Sequence, residues 1–288
     1  MSTRVVIRGS DVGYSKFCDE GFFKSCDEGL VTSANVMVDG RSGISALEKL
    51  RERPWISIEW HRQFWGWPIL PKEKVSSLIN ANGRFKWGHR NYDLLNEVDY
   101  DEAFAEIEAE LNMCYKITGR YPVTTAGDID DKVFNVAFKD VMDKYGVPMN
   151  VSISPFFQLD EKYRDLNFDV IAINPVSDCK TDEEKREAYD LKNISKYKPV
   201  EKIKKIRLDE SRKYLISIHP GFVDDIILEE SSFTLWRIKD VECACDKQLI
   251  EWVRDNEIEL CNVDDIINGT HNYQKHLKDI NSPLYLGD

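Results

Sequence analysis

Short runs of β-branched and aromatic residues alternate along this chain with longer amphipathic segments. The runs have the length and composition of strands and occupy residues 4–10, 31–38, 55–61, 123–129, 148–154, 169–175, 213–219 and 258–264. The segments between many of them predict helices. The clearest covers residues 101–119, where an acidic first turn opens the pattern and Gly119, followed by Pro122, ends it. Residues 135–146 and 246–259 repeat this design.

The alternation of strands and helices predicts a parallel sheet with right-handed crossovers. So many units within 288 residues favour a distorted (β/α) barrel of the TIM type, an α/β fold, and a doubly wound open sheet is the second interpretation. Two stretches interrupt the alternation, an aromatic one near residues 64–98 and a charged one near 178–200. We interpret both as insertions over one end of the barrel and residues 1–288 as a single domain.

The composition limits the ligands and the environment. A balance of 39 basic against 51 acidic residues gives a net charge of -12, which opposes binding to nucleic acid and to anionic membrane surfaces. The seven cysteines include no CxxC pair, which predicts free thiols in a reducing compartment. With no signal-like start and no long apolar run, we expect a cytoplasmic protein with a neutral or cationic small-molecule ligand. A homodimer is left open.

Polar residues follow the predicted strands at their C-terminal ends, which meet on one face of a parallel barrel. The residues collected there are Ser10, Asp11, Asn35, Glu59, His61, Asp128, Asp130, Asp131 and His219. Carboxylates combined with imidazoles are typical ligands of a divalent ion. Each residue alone has another explanation, since Asp11 could be a turn residue, His61 a core histidine, and Asp130 with Asp131 a helix cap and its first turn.

Several longer motifs occur in a fixed order along the chain. They are GSDVGYS, DEGLVTSANVMVDG, ISIEWH, RYPVTTAGDID, KYGVP, LISIHPGFVDD, SSFTLWRIKDVE and NEIELCNVDDI. In this order and spacing they resemble the YdjC-like family of carbohydrate deacetylases, over almost the whole chain and least across residues 150–205. The resemblance implies a distorted barrel and the metal-dependent removal of an N-acetyl group from an amino sugar or oligosaccharide.

Carried over residue by residue, the resemblance implies that Asp11, His61 and Asp128 hold one divalent ion, Mg²⁺, Mn²⁺ or Zn²⁺. Asp128 stands where the family has a histidine. His219 corresponds to the histidine that resembles a general acid or transition-state stabiliser. The family's other opening aspartate, which resembles the general base, is Ser10 here.

These departures have chemical consequences. Serine cannot accept a proton near neutral pH, so another carboxylate would have to do so. Glu59 is one candidate because residues two apart on a strand face the same side, which puts it beside His61; Asp130 is the other. An aspartate in place of a histidine makes the ion a weaker Lewis acid and favours Mg²⁺ or Mn²⁺.

Aromatic residues of the first insertion predict a surface on which sugar rings stack, with ordinary loop packing as the alternative. They are Phe64, Trp65, Trp67, Phe85 and Trp87. We assign substrate binding to Trp65 and Trp67, and also to Asn35 and Arg237. Three functions stay open: a carbohydrate deacetylase, a metal-dependent hydrolase of another bond, and a catalytically silent relative that binds a saccharide or a protein.

Overall fold

The computed structural model describes residues 2–87, 97–126, 129, 131–149 and 168–287. Its strands are β1 (Arg4–Val12), β2 (Ser33–Val36), β3 (Ser57–His61), β4 (Thr124–Ala126), β5 (Phe168–Ala172), β6 (Lys213–Ile218) and β7 (Glu259–Leu260). Its helices are α1 (Lys16–Asp27), α2 (Gly43–Arg51), α3 (Tyr100–Thr118), α4 (Lys132–Tyr145), α5 (Asp182–Ala188), α6 (Pro199–Lys204), α7 (Asp225–Glu230), α8 (Trp236–Ala244), α9 (Lys247–Asp255), α10 (Val263–Asn268) and α11 (Asn272–Asp279). From residue 150 on, the strand predicted at 148–154 lies outside the described residues.

The strands pair in parallel in the order β4-β3-β2-β1-β6-β5, and β7 pairs with the first residues of β1. From β1 the order ascends through β2, β3 and β4 on one side and descends through β6 and β5 on the other. A ring has this order, whereas a doubly wound sheet would ascend on both sides of its switch point. The curled half-barrel confirms the predicted distorted barrel and argues against the open sheet.

The helices on either side of β4 have capped ends. Asp99 accepts a hydrogen bond from the backbone N–H of Glu102 at the start of α3, and Gly119 ends that helix in a left-handed conformation. At the start of α4, Asp131 accepts from the N–H of Phe134 at 3.0 Å. The interpretation of Asp131 as a helix cap is therefore confirmed.

The interior of the half-barrel changes from apolar to polar along the strands. An apolar cluster fills the end at which the strands begin, and it contains Val6, Leu215, Cys261, Val263 and Ile266. Above it, the hydroxyls of Ser33 and Ser57 lie 2.8 Å apart and both accept from the N–H of Val263. Val263 and Ile266 of α10 belong to this apolar end, and the polar groups lie further along the strands.

The thiols of the chain contribute to packing. All seven cysteines are free, and five of them are buried. Burial raises the pKa of Cys18 to about 12, so this thiol stays protonated and unreactive near neutral pH.

Within the described ranges, no helix combines the length and apolar character that a membrane crossing requires.

Candidate active site

Asp11 lies at an irregularity near the end of β1. The register between β1 and β2 shifts between Gly9 and Val12, and Asp11 has a left-handed backbone with φ of 63°. In a regular strand, Ser10 and Asp11 would face opposite sides. Here both reach inner groups, since the Ser10 hydroxyl lies 3.1 Å from a serine hydroxyl on β6 and Asp11 contacts His61 on β3. The bulge therefore adds Asp11 to the inward-facing groups.

The turn after Asp11 depends on Gly13. Its φ is 97°, and a Cβ at this position would lie 2.6 Å from the carbonyl oxygen of Met37. Its N–H donates to Asp19 of α1 at 2.8 Å, and the hydroxyl of Ser42 donates to the other oxygen of Asp19 at 2.6 Å. This network fixes the turn that carries Asp11.

Both carboxylate oxygens of Asp11 are engaged. Oδ1 lies 3.0 Å from Nε2 of His61, and Oδ2 accepts from Nη2 of Arg237 at 2.6 Å. Burial opposes ionisation, but the charge of Arg237 and the hydrogen bond with His61 outweigh it and hold the pKa of Asp11 well below its usual range. Asp11 is therefore a carboxylate whose Oδ1 is directed to His61.

Arg237 holds Asp11 in place. Its side chain is only 1% exposed, and it donates through Nε to the carbonyl of Phe233 at 2.8 Å as well as to Asp11. Within the described residues its Nη1 has no hydrogen-bond partner. The assignment of substrate binding to Arg237 stays a prediction.

His219 follows β6 and lies within electrostatic range of Asp11. Its backbone N–H donates to Oδ2 of Asp240 at 2.8 Å, and its ring centroid lies 4.9 Å from that of Phe233. Burial lowers the pKa of His219 to about 4; Asp11 opposes this and the charge of Arg237 adds to it. The imidazole is therefore neutral near pH 7, and its protonated form would be a strong proton donor.

A buried polar network lies on the inner face of β1, β3 and β6. Arg8 donates through Nη1 to Oε2 of Glu59 at 3.1 Å, and through Nε and Nη2 to the hydroxyl of Ser217, each at 3.3 Å. The hydroxyl of Ser217 lies 3.1 Å from that of Ser10. Burial raises the pKa of Glu59, although Arg8 opposes the shift. Arg8 was not among the predicted residues. It could have been found from the sequence because it is a charged residue two positions before Ser10, and residues two apart on a strand face the same side.

Asn35 is paired in register with Glu59 on the neighbouring strand. It is buried, and within the described part of the chain its Oδ1 has no hydrogen-bond partner; the same holds for Nδ1 of His61 and of His219. A buried polar atom without a partner costs about 1–3 kcal/mol. Several such atoms on neighbouring strand ends indicate a place that binds a polar ligand.

The first insertion holds aromatic residues of two kinds. Phe64, Phe85 and Trp87 are at most 3% exposed, and the Phe64 ring centroid lies 4.6 Å from that of Phe134 on α4. The prediction that these three stack on sugar rings is wrong, because they pack the insertion against the core.

Trp65 and Trp67 are half-buried. The ring of Trp65 lies 6.4 Å from that of His61, centroid to centroid. Trp67 is covered by guanidinium groups, with Cζ of Arg41 at 4.7 Å and Cζ of Arg84 at 5.0 Å from its ring centroid. Of the two, Trp65 is the better situated to meet a ligand of this site.

Two of the three predicted metal ligands converge. Oδ1 of Asp11 and Nε2 of His61 offer one oxygen and one nitrogen to an ion, a pairing that suits Mg²⁺, Mn²⁺ or Zn²⁺. Asp128 and Asp130 lie outside the described residues. Within the described ranges, no group of three His, Cys, Asp or Glu could hold an ion. The residues present thus fit two positions of a metal site, and the third stays a prediction.

Several known proteins are similar to this chain in sequence or in fold. The model of the YdjC-like protein family matches residues 4–255. A carbohydrate deacetylase of Oceanobacillus iheyensis is 29% identical over 87% of this chain and 99% of its own length, and one of Enterococcus faecalis is 24% identical over 91% and 98%. A solved structure from Enterococcus faecalis, provisionally named a cellobiose-phosphate cleavage protein, superposes with a TM-score of 0.64 at 22% identity, covering 91% of this chain and 98% of its own. The chain belongs to the YdjC-like protein family.

Proposed function

We propose that this chain is a hydrolase that removes an N-acetyl group from an amino sugar or oligosaccharide with the help of one divalent ion. The observation that carries the proposal is the approach of Asp11 and His61 to 3.0 Å at the C-terminal ends of β1 and β3. Barrel enzymes build their active sites at this end of the strands. The relatives named carbohydrate deacetylases match over nearly their whole lengths, which supports the same activity here.

The ion would be held by Oδ1 of Asp11 and Nε2 of His61, with Asp128 as the proposed third ligand. Mg²⁺, Mn²⁺ or Zn²⁺ at this position would polarise the amide carbonyl and lower the pKa of a water molecule. Arg237 neutralises one of the two carboxylates. An ion between Asp11 and Asp128 would therefore keep more of its charge than between two unpaired acids, which offsets the weaker Lewis acidity expected of the aspartate.

His219 carries the proton in this proposal. With a pKa of about 4 its imidazole is a weak base, so it would take a proton from the attacking water molecule only when a bound ion lowers the pKa of that water. The protonated ring then gives this proton to the leaving nitrogen as the C–N bond breaks, which yields acetate and the free amine. Ser10 cannot accept a proton near neutral pH and is not required to.

Glu59 and Asp130 are the alternative proton acceptors. Glu59 is completely buried and one of its oxygens binds Arg8, which supports a role as the counter-ion of Arg8. Asp130 stays a candidate, since it lies outside the described residues.

Trp65 and Asn35 are the proposed contacts to the substrate. The Trp65 ring, 6.4 Å from that of His61, would stack on the apolar face of a sugar. Oδ1 of Asn35, which has no partner among the described residues, would accept a hydrogen bond from a hydroxyl or an amide N–H.

Acetate release tests the function. The purified protein would be incubated with diacetylchitobiose and other N-acetylated sugars, with Mn²⁺, Mg²⁺ or Zn²⁺ and after chelation. We expect release that needs an added ion and is lost in His61→Ala, whereas His271→Ala, an exposed histidine near β7, behaves as the wild type. Ion binding without acetate release from any sugar would favour the hydrolysis of another bond. A protein that binds no ion would exclude both hydrolases and leave saccharide or protein binding.

A further inference from the structure

We propose that α8 is a positioning helix and that its Asp240 fixes His219 in the site; this inference rests on the proposed function. Asp240 is fully buried, and its Oδ2 accepts the backbone N–H of His219 at 2.8 Å. Asp240 therefore holds the main chain of His219 through this hydrogen bond, while the ring of Phe233, 4.9 Å away between centroids, packs on the imidazole.

The same helix also holds Asp11. Arg237 precedes Asp240 by three positions, so the two side chains leave the same face of α8. Arg237 binds the carboxylate of Asp11 at 2.6 Å, while Asp240 binds the residue proposed to carry the proton. One rigid element therefore sets the position of both groups and the distance between them.

The turn that contains His219 is packed too tightly to move independently. The N–H of Gly221 donates to the carbonyl of Arg237 at 3.4 Å, a second contact between this turn and α8. On the other side lies α1, where a Cβ at Gly21 would come within 2.6 Å of the backbone of Gly221. The ring of Phe233, just before α8, packs on that of His219. The turn is thus held between two helices.

Tyr197 extends this arrangement to the second insertion. Its hydroxyl donates to Oδ1 of Asp240 at 2.7 Å, so both oxygens of Asp240 are engaged. Tyr197 follows a 3₁₀ helix at Leu191–Lys196 and is itself buried. The charged insertion thereby contributes a buried residue that fixes the carboxylate holding His219.

The test compares Asp240→Asn, Asp240→Ala and Tyr197→Phe with a matched control, Asp265→Asn. Asp265 is likewise buried and accepts backbone N–H groups, but at the end where the strands begin. With diacetylchitobiose we expect kcat to fall about 100-fold in Asp240→Ala and about 10-fold in Asp240→Asn, with KM changed less than about threefold. The kcat of Tyr197→Phe should lie between that of the wild type and that of Asp240→Asn. Asp265→Asn should lower thermal stability and leave kcat unchanged.

A second measurement is independent of activity. The chain has five histidines, so a protein labelled with ¹⁵N-histidine gives few signals. In the Asp240 variants we expect the amide of His219 to shift upfield and its ring nitrogens to shift, while His271 and His276 stay unchanged. Unchanged His219 signals, or a kcat of Asp240→Ala within threefold of wild type, would overturn the positioning role. Shifted His219 signals without acetate release from the wild type would leave this role standing and reject the proposed function alone.

Discussion

Asp11 and Arg237 form a buried ion pair in which each partner depends on the other. Asp11 sits in a left-handed conformation that aspartate and asparagine tolerate better than most residues, so Asp11→Asn keeps the backbone. Removing one partner leaves an uncompensated buried charge, which costs about 3–5 kcal/mol. We expect Asp11→Asn and Arg237→Met each to lower the free energy of unfolding by about this amount.

The variant that combines Asp11→Asn with Arg237→Met should lose less free energy of unfolding than the sum of the two single losses, by roughly 2 kcal/mol, because neither charge is then left alone. Urea unfolding of the four proteins measures this coupling. If the two effects were simply additive, the pair would not be what holds Asp11.

Glu59 provides a separate test at the same scale. Glu59→Gln removes the counter-ion of Arg8 but keeps the shape of the side chain. We expect a loss of stability of about 3–5 kcal/mol and a kcat within about tenfold of wild type, since the proposed mechanism assigns the proton transfer to His219. The control is Glu59→Gln combined with Arg8→Gln, which should recover part of the stability. A loss of kcat above about 100-fold in a folded Glu59→Gln protein would instead identify Glu59 as the general base.

The site residues that the sequence indicates are those at strand ends. Asp11 and His61 could be predicted because the family motifs align them, and Glu59 because strand periodicity assigns it to the same face as His61. The hydrogen-bond partners of these residues could not be predicted. Arg237 reaches Asp11 from a helix more than 200 positions away, and no local pattern encodes such a contact. The bulge at Asp11 is likewise invisible in the alternation of the strand.

At the scale of elements, α1 is fitted closely to the turn after β6. Gly21 lies in the middle of α1, where alanine would ordinarily stabilise a helix by about 1 kcal/mol. Here a Cβ would lie 2.5 Å from the backbone nitrogen of Phe222, so the sign reverses. We expect Gly21→Ala to destabilise the protein by about 1–3 kcal/mol through overpacking and to lower kcat by displacing His219.

The matched control for Gly21→Ala is Glu20→Ala at the adjacent, exposed position of α1, which should change stability by less than about 1 kcal/mol. Thermal unfolding and acetate release, measured on both variants, test whether Gly21→Ala lowers stability and kcat. A Gly21→Ala protein more stable than the wild type would mean that α1 does not constrain the turn.

The elements themselves were largely predictable, and the insertions less so. Strand and helix signals lie close to the observed bounds because the apolar pattern of each segment is strong. The aromatic insertion is different, since composition alone cannot separate a stacking surface from core packing. Phe64, Phe85 and Trp87 proved to be core, and only burial could reveal this.

At the scale of the whole molecule, the parallel sheet follows from the alternation of strands and helices, because each parallel connection needs a crossover. The strand order is what distinguishes the barrel from the open sheet. Its charge distribution does not follow from composition. Several carboxyl groups are buried where burial is the main cause of a raised pKa: about 7 for Asp19, Glu106 and Asp240, and about 6 for Asp39. These groups bind more protons in the folded than in the unfolded chain between about pH 4 and pH 7.

The stability of the protein should therefore depend on pH in a direction opposite to that of salt-bridged carboxylates. Where the folded state binds more protons, stability falls as pH rises, so it should decline from about pH 4 to about pH 7 and then level off. Asp11 acts in the other direction: its lowered pKa adds stability that is lost as pH falls below about 4. His219, whose pKa is lowered to about 4, binds fewer protons in the folded chain and offsets part of the decline. Together these effects predict a maximum near pH 4, which calorimetry at constant ionic strength from roughly pH 3 to pH 9 would measure.

Glu106→Gln, which keeps an acceptor for the N–H groups of Ile69 and Leu70, should reduce the slope by up to about 1.4 kcal/mol per pH unit. The exposed Glu48→Gln should leave the slope unchanged. A maximum near pH 7, or equal slopes in both variants, would show that these carboxyl groups are not the source of the pH dependence.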